Sequence, residues 1–190
     1  GGLYADALLE GGLDSYGTQR TSYGGTATGK TQGLEYGGAM EAGYEWKQNS
    51  VGVGPVASLQ YTSLSINGFS EQGSQAPLTY PGQGGDSLAS QLGIQGEGNW
   101  KMAGINFNPE IRLAWEHEYD NRGGTIQAGF GTGDGFTVAG PALGQDGVVL
   151  GAGLDLGFTK NLDLSLNYRG ELNRTDFTSQ QFGGGMRYVF

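Results

Sequence analysis

The sequence has no cysteine, five prolines, one histidine and few charges, at 15 %. The missing cysteine excludes a disulfide scaffold and suits a compartment where stray thiols would oxidise. No run of 18 apolar residues is present, so no membrane-crossing helix is expected. Basic residues are scarce, 10 against 19 acidic ones, and the net charge of −9 argues against a nucleic-acid partner. Apolar residues make up 36 %, too little for a large conventional core. Yet 3 Trp, 10 Tyr and 8 Phe argue against disorder, and 39 glycines ask for an explanation. A transmembrane β-barrel reconciles these facts, because only alternate strand residues must be apolar and the lumen face takes Gly, Ser, Gln and charge. Mean hydropathy, at −0.37, hides such a protein from any window scan.

Strict alternation recurs in about eight segments, each near the roughly 9–11 residues a barrel strand needs. Along Leu162–Leu172, Leu162, Leu164, Leu166 and Tyr168 oppose Asp163, Ser165, Asn167 and Arg169. Along Val149–Phe158, Leu150, Leu154, Leu156 and Phe158 oppose Gly151, Gly153, Asp155 and Gly157. Along Ile105–Tyr119, Phe107, Ile111, Leu113 and Trp115 oppose Glu110, Arg112, Glu116 and Glu118. Three earlier segments, around Leu34–Trp46, Val53–Thr62 and Leu88–Trp100, repeat the pattern. The first, Leu3–Leu13, is the least regular, with Leu8 on the polar side. The last carries Phe182, Met186, Tyr188 and Phe190 on one face and Gln181, Gly183, Gly185 and Arg187 on the other.

Connections alternate in length: long at 16–33, 67–86 and 120–147, short at 47–52, 100–104 and 159–161, with 173–178 short where a long one is due. Bacterial barrels have short periplasmic turns and long outside loops, which fixes the orientation. This parity requires 123–136 to be a hairpin or extension within an outside loop. Trp46, Trp100, Phe107, Phe158, Tyr188 and Phe190 then fall near the periplasmic rim, and Tyr36, Tyr61, Trp115 and Tyr168 near the outer one. A soluble β-sandwich is the rival, although its strands are shorter and its core face more branched.

Three motifs invite a catalytic or binding reading. Gly24–Thr31 fits the phosphate-binding pattern G-x-x-x-x-G-K-[ST], but it sits in an expected outside loop with no helix to follow. Gly85-Asp86-Ser87-Leu88 spells an esterase nucleophile block, without an Asp-x-x-His partner to complete it. His117 has neither Cys nor a second His to share a metal, and parity turns it outward. No enzyme, metal or cofactor is expected.

Several segments, in order, resemble the autotransporter β-domain, the translocator of type V secretion. They are Gly43-Tyr44, Pro55–Tyr61, Gly68–Gly73, Ser87–Gly93, Pro109–Tyr119, Phe136–Gly140, Tyr168 and the terminal Tyr188-Val-Phe190. The resemblance covers nearly all of 1–190. It implies an all-β, antiparallel barrel in the bacterial outer membrane, with this chain as the last eight of twelve strands. It further implies an upstream passenger, displayed at the cell surface, and a linker helix that threads the lumen. The final strand is similar to the signal read by the barrel-assembly machinery, with Gly185, Tyr188 and Phe190 in place. Gly183 stands where a large polar residue is frequent.

The charges expected to face the lumen are Glu41, Glu97, Glu110, Arg112, Glu116, Asp155, Arg169, Glu171 and Arg187, with Glu45 and Asp163. They either bridge one another or solvate a passing chain and grip a plug helix. Two functions stay open: a translocator held by outer-membrane lipid, or a self-contained eight-stranded barrel that is structural or adhesive.

Overall fold

The structure is a computed structural model that describes all residues except 121–123, 132, 134, 141–142 and 176. The described residues form β1 (Gly2–Ser22), β2 (Gly25–Gln48), β3 (Val51–Ile66), β4 (Phe69–Ser70), β5 (Leu78–Tyr80), β6 (Gln83–Gly98), β7 (Trp100–Met102), β8 (Ile105–Glu118), β9 (Thr125–Phe130), β10 (Gly135–Ala139), β11 (Asp146–Gly157), β12 (Leu162–Arg174) and β13 (Phe177–Tyr188). Eight long strands make one antiparallel meander, in the order β1-β2-β3-β6-β8-β11-β12-β13. The short β7 also pairs with β8, and β10-β9-β5-β4 make a second sheet. No pairing joins β1 to β13 among the described residues.

The eight alternating segments are thus eight strands, one to each, longer than the alternation alone marks out. Turn chemistry ends them where expected. Asn49 (φ 57°) opens the β2–β3 turn, and Ala103 (φ 51°) with Gly104 (φ 84°) supplies the two left-handed positions of a tight hairpin.

Two expectations need correction at the long-loop end. The stretch 16–33 is not a loop. β1 and β2 stay in register from Gly2↔Glu45 to Ser22↔Gly25, so the hairpin runs past its neighbours to a tip at Tyr23-Gly24. Gly24–Thr31 is therefore a turn and a strand, because Gly and Thr in that stretch gain a full ladder of backbone hydrogen bonds. Likewise Gly85–Leu88 lies inside β6, not at a loop end. Between 123 and 136, β9 pairs with β10 as a small hairpin in the second sheet and makes no separate crossing. Gly123 lies outside the described residues.

The large sheet is strongly curled, and side chains show which way. Gln95 on β6 donates to the Tyr4 hydroxyl on β1 at 2.6 Å, and Arg112 on β8 donates to Glu41 on β2 at 2.6 Å. Each pair is three strand spacings apart, about 14 Å along the sheet. Such contacts are possible only across a concave face. That face also holds the small core, Ala27, Val56, Ala114 and Val149. The convex face is apolar and bare: Leu9 is 88 % exposed, Phe182 76 % and Met186 75 %, with Met40, Ile94, Ile111 and Leu113 also open. A soluble monomer rarely leaves so much contiguous apolar surface in water, but a barrel turns it to lipid.

Candidate functional site

The concave wall is the site, and a chain of polar contacts crosses it. Arg112 holds Glu41 through Nη1 and reaches Gln91 Oε1 through Nη2 at 3.4 Å. Gln91 donates to Glu116 Oε2 at 2.7 Å. Arg169 Nη2 lies 3.5 Å and Arg174 Nη1 3.8 Å from the same Glu116 carboxylate. Arg174 also pairs with Glu171 at 2.8 Å, lies 4.0 Å from Glu118 and donates through Nε to the Gly144 carbonyl at 2.6 Å. Glu118 accepts the Ser87 hydroxyl at 2.7 Å and the Leu88 amide at 2.9 Å. Glu116, Glu118 and Gln91 are buried. The two carboxylates can stay there because guanidinium groups and donors surround them.

Of the residues picked out by parity, the structure brings Glu41, Arg112, Glu116, Arg169 and Glu171 into this network. Glu97 stands apart with Glu45, both 3.1 Å from the Lys47 ammonium. Glu110 shares a small recess with Glu45, Gln95 and Glu97. Asp155, Asp163 and Arg187 line an open cavity of about 480 Å³ with Asn106, Asn108 and Ser165. Tyr4, Gln91, Gln95, Glu118 and Arg174 belong to the site as well. Parity reaches the two glutamines and Glu118, but Arg174 is hidden in a stretch that reads as a connection.

The catalytic look-alikes do not assemble. Ser87 points inward to Glu118, whereas His117 packs outward between Trp115 and Tyr119, with Nδ1 2.9 Å from Asp146 Oδ1. The two side chains are on opposite faces of the sheet. Lys30 and Thr31 are strand residues paired with Gly17 and Tyr16, and no helix exists among the described residues to hold a phosphate.

At the short-turn end, Tyr188 pairs across to Leu162, and its ring meets Phe190 edge-on at 5.1 Å. Gly185 faces Ser165, whose hydroxyl would sit 2.8 Å from an added β-carbon. Tyr188 and Phe190 are exposed on the convex side.

A family model, "Autotransporter beta-domain", matches residues 1–169. The chain belongs to the autotransporter β-domain family. Among similar proteins are two named extracellular serine protease, from Serratia marcescens, each 33 % identical over 135 residues, 70 % of this chain and 13 % of theirs. Outer membrane protein A of Rickettsia rickettsii is 27 % identical over 105 residues, 54 % of this chain and 5 % of its own. The chain thus spans about an eighth or less of the length of these relatives. This autotransporter β-domain is an outer-membrane barrel with a translocator function.

Proposed function

We propose that this barrel anchors a longer polypeptide in outer-membrane lipid, and that a linker helix of that polypeptide lies against the concave wall while the passenger stands outside. The observation that carries this reading is the incomplete satisfaction of the wall. Glu45 Oε1, Asn108 Oδ1 and Arg112 Nε are shielded from solvent with no hydrogen-bond partner among the described residues. Buried polar atoms normally have partners, so these three suit donors and acceptors from a segment in the lumen. The separated edges of β1 and β13 favour a barrel completed by further strands, the last-eight-of-twelve arrangement, because a spanning sheet must close. The same argument weighs against the self-contained eight-stranded reading. Gly185, Tyr188 and Phe190 act as the assembly signal, recognised by the barrel-assembly machinery through an aromatic-ended strand. No catalytic role is assigned to the barrel.

Arg112→Met in the full-length protein tests the lumen role. The expected result is a barrel that still shows heat-modifiable migration, with passenger display on intact cells reduced several-fold. Unchanged display would sink the linker-gripping role of the wall.

A further inference from the structure

At the long-loop end, three connections that are far apart in sequence fold on one another. Glu71 lies between β4 and β5, and its side chain is 1 % exposed. Arg20, near the tip of the β1–β2 hairpin, donates through Nε and Nη2 to its carboxylate at 2.7–3.1 Å. Glu71 Oε2 also accepts the Leu78 amide at 2.8 Å. Arg20 Nη2 and the Ser22 hydroxyl both donate to the Ala76 carbonyl, at 2.9 and 3.1 Å. Around this pair the backbones join: Thr28 and Gln72 exchange two hydrogen bonds, and the Gln75 amide donates to the Tyr23 carbonyl. β5 then pairs with β9 through Leu78↔Phe130 and Thr79↔Gly129. The order imposed at Glu71 therefore passes to the β9–β10 hairpin. The second sheet stands over the ends of β3 and β6, with a cavity of about 990 Å³ between Leu64, Ile66 and Gln83 below and Ile126, Gln127 and Val138 above.

A buried carboxylate held by one guanidinium is a strong local constraint, because losing either partner strands the other without a counter-charge. No passage through the lumen explains its placement, since Arg20 and Glu71 lie beyond the main wall. We propose that the Arg20–Glu71 pair is a latch: it fastens the 67–82 loop to the β1–β2 hairpin and makes the loops at the outer mouth a single rigid cover. The outer placement of these loops rests on the short turns facing the periplasm, as the connection lengths imply; the latch itself does not. An outside loop with many turn residues would ordinarily be an open protease target. With the latch closed, 72–77 is held against the hairpin and resists.

The test uses the full-length protein in intact cells and in detergent. Glu71→Gln and Arg20→Met should each raise the rate of proteolytic clipping between 70 and 82 at least tenfold. The reciprocal swap, Arg20→Glu with Glu71→Arg, should recover much of the protection. Thr28→Cys with Gln72→Cys reports the same closure by another route, because a pair exchanging both backbone bonds has Cα atoms about 5.5 Å apart, within disulfide reach. That cross-link should form rapidly in the parent background and several-fold more slowly beside Arg20→Met. Should one single variant fail to assemble, the cross-link rate and the other variant decide. Clipping and cross-linking that stay at parental rates would overturn the latch. Tyr23→Cys at the exposed hairpin tip, probed with a membrane-impermeant maleimide, separates the two readings. No labelling above the parent would overturn the orientation while leaving the latch to the cross-link.

Discussion

The two ends of the inner wall obey the same alternation and are built differently. Toward the long-loop end, Arg174 gathers Glu116, Glu118 and Glu171, and all four side chains are at least 85 % buried. Toward the short-turn end, Asp155, Asp163 and Arg187 line open space. The difference is one of neighbours, not of residue type. β8 and β11 bring the compact residues Ala114 and Val149 beside the first group, Val149 lying in register between Ala114 and Glu171, so long charged side chains can fold down and meet. The second group has Gly157 and Gly185 about it, and glycine leaves room without filling it. One end of the wall is cross-linked from within by buried pairs, while at the other the bridges of Lys47 to Glu45 and Glu97 are largely open to water and the aromatic belt of Tyr188, Phe190, Trp100 and Phe107 supplies order from outside.

The largest effect should come from breaking that belt. Tyr188→Asp with Phe190→Asp places two carboxylates where the convex face meets the lipid boundary, at a direct cost of only about 0–1 kcal/mol each, but it also removes both terminal aromatic anchors and with them the proposed assembly signal. The expected outcome is loss of membrane assembly, seen as absence of heat-modifiable migration. Normal migration of the double variant would show that the short-turn end draws its order elsewhere.

Next in size is Arg174→Met. The buried carboxylates of Glu116, Glu118 and Glu171 then lose their shared cation, and breaking a buried pair in this way typically costs about 3–5 kcal/mol. The barrel should still assemble, with its heat-modifiable transition shifted to clearly lower temperature. Combining Arg174→Met with Glu171→Gln should recover part of the loss, because the closest stranded charge is gone. A single variant that behaves like the parent would erase the contrast between the two ends.

How much of this was legible in the sequence follows from the same contrast. Alternation reports which face a residue takes, and so the eight strands, the bare convex face and Glu41, Arg112 and Glu116 could be read from Leu-x-Leu and Tyr-x-Trp spacings. It does not report what lies across the lumen. Arg112 meeting Glu41, 71 residues away, depends on curl, and curl is a property of the sheet. Arg174 was illegible for another reason: a register shift between Glu171 and Arg174 breaks the period at the place where it matters. In the sequence the β1–β2 extension looks like a loop because Gly and Thr carry little hydrophobic signal, and only cross-strand pairing reveals the strand.

Acid offers a gentler probe, beyond either end of the wall. The Arg20 guanidinium hydrogen-bonded to Glu71 holds its carboxyl below the ordinary glutamate value of 4.5, with the Leu78 amide assisting against burial. A carboxyl whose folded value is depressed contributes stability that is fully present above the unfolded value and is lost as pH falls through the folded one. Clipping within 70–82 should therefore be flat from pH 7 to about 5 and accelerate below about 4.5, while Glu71→Gln should show the fast rate throughout. A parental rate that climbs between pH 7 and 5 would mean that some other group controls the loop.

The smallest effect is expected at Arg187, and its smallness is informative. Arg187 faces Asp163 across the β12–β13 pair and lines the open cavity of about 480 Å³. A charge that water can reach contributes little, about 0–1 kcal/mol, because solvent replaces whatever partner is removed. Arg187→Met should leave the heat-modifiable transition within a degree or two of the parent, against the clear drop for Arg174→Met. Passenger display should fall more than stability does, since the cavity is where a lumen segment would meet the wall. A stability loss equal to that of Arg174→Met would mean that the charges of the short-turn end contribute as much as buried ones, and that both ends of the wall are held by the same means.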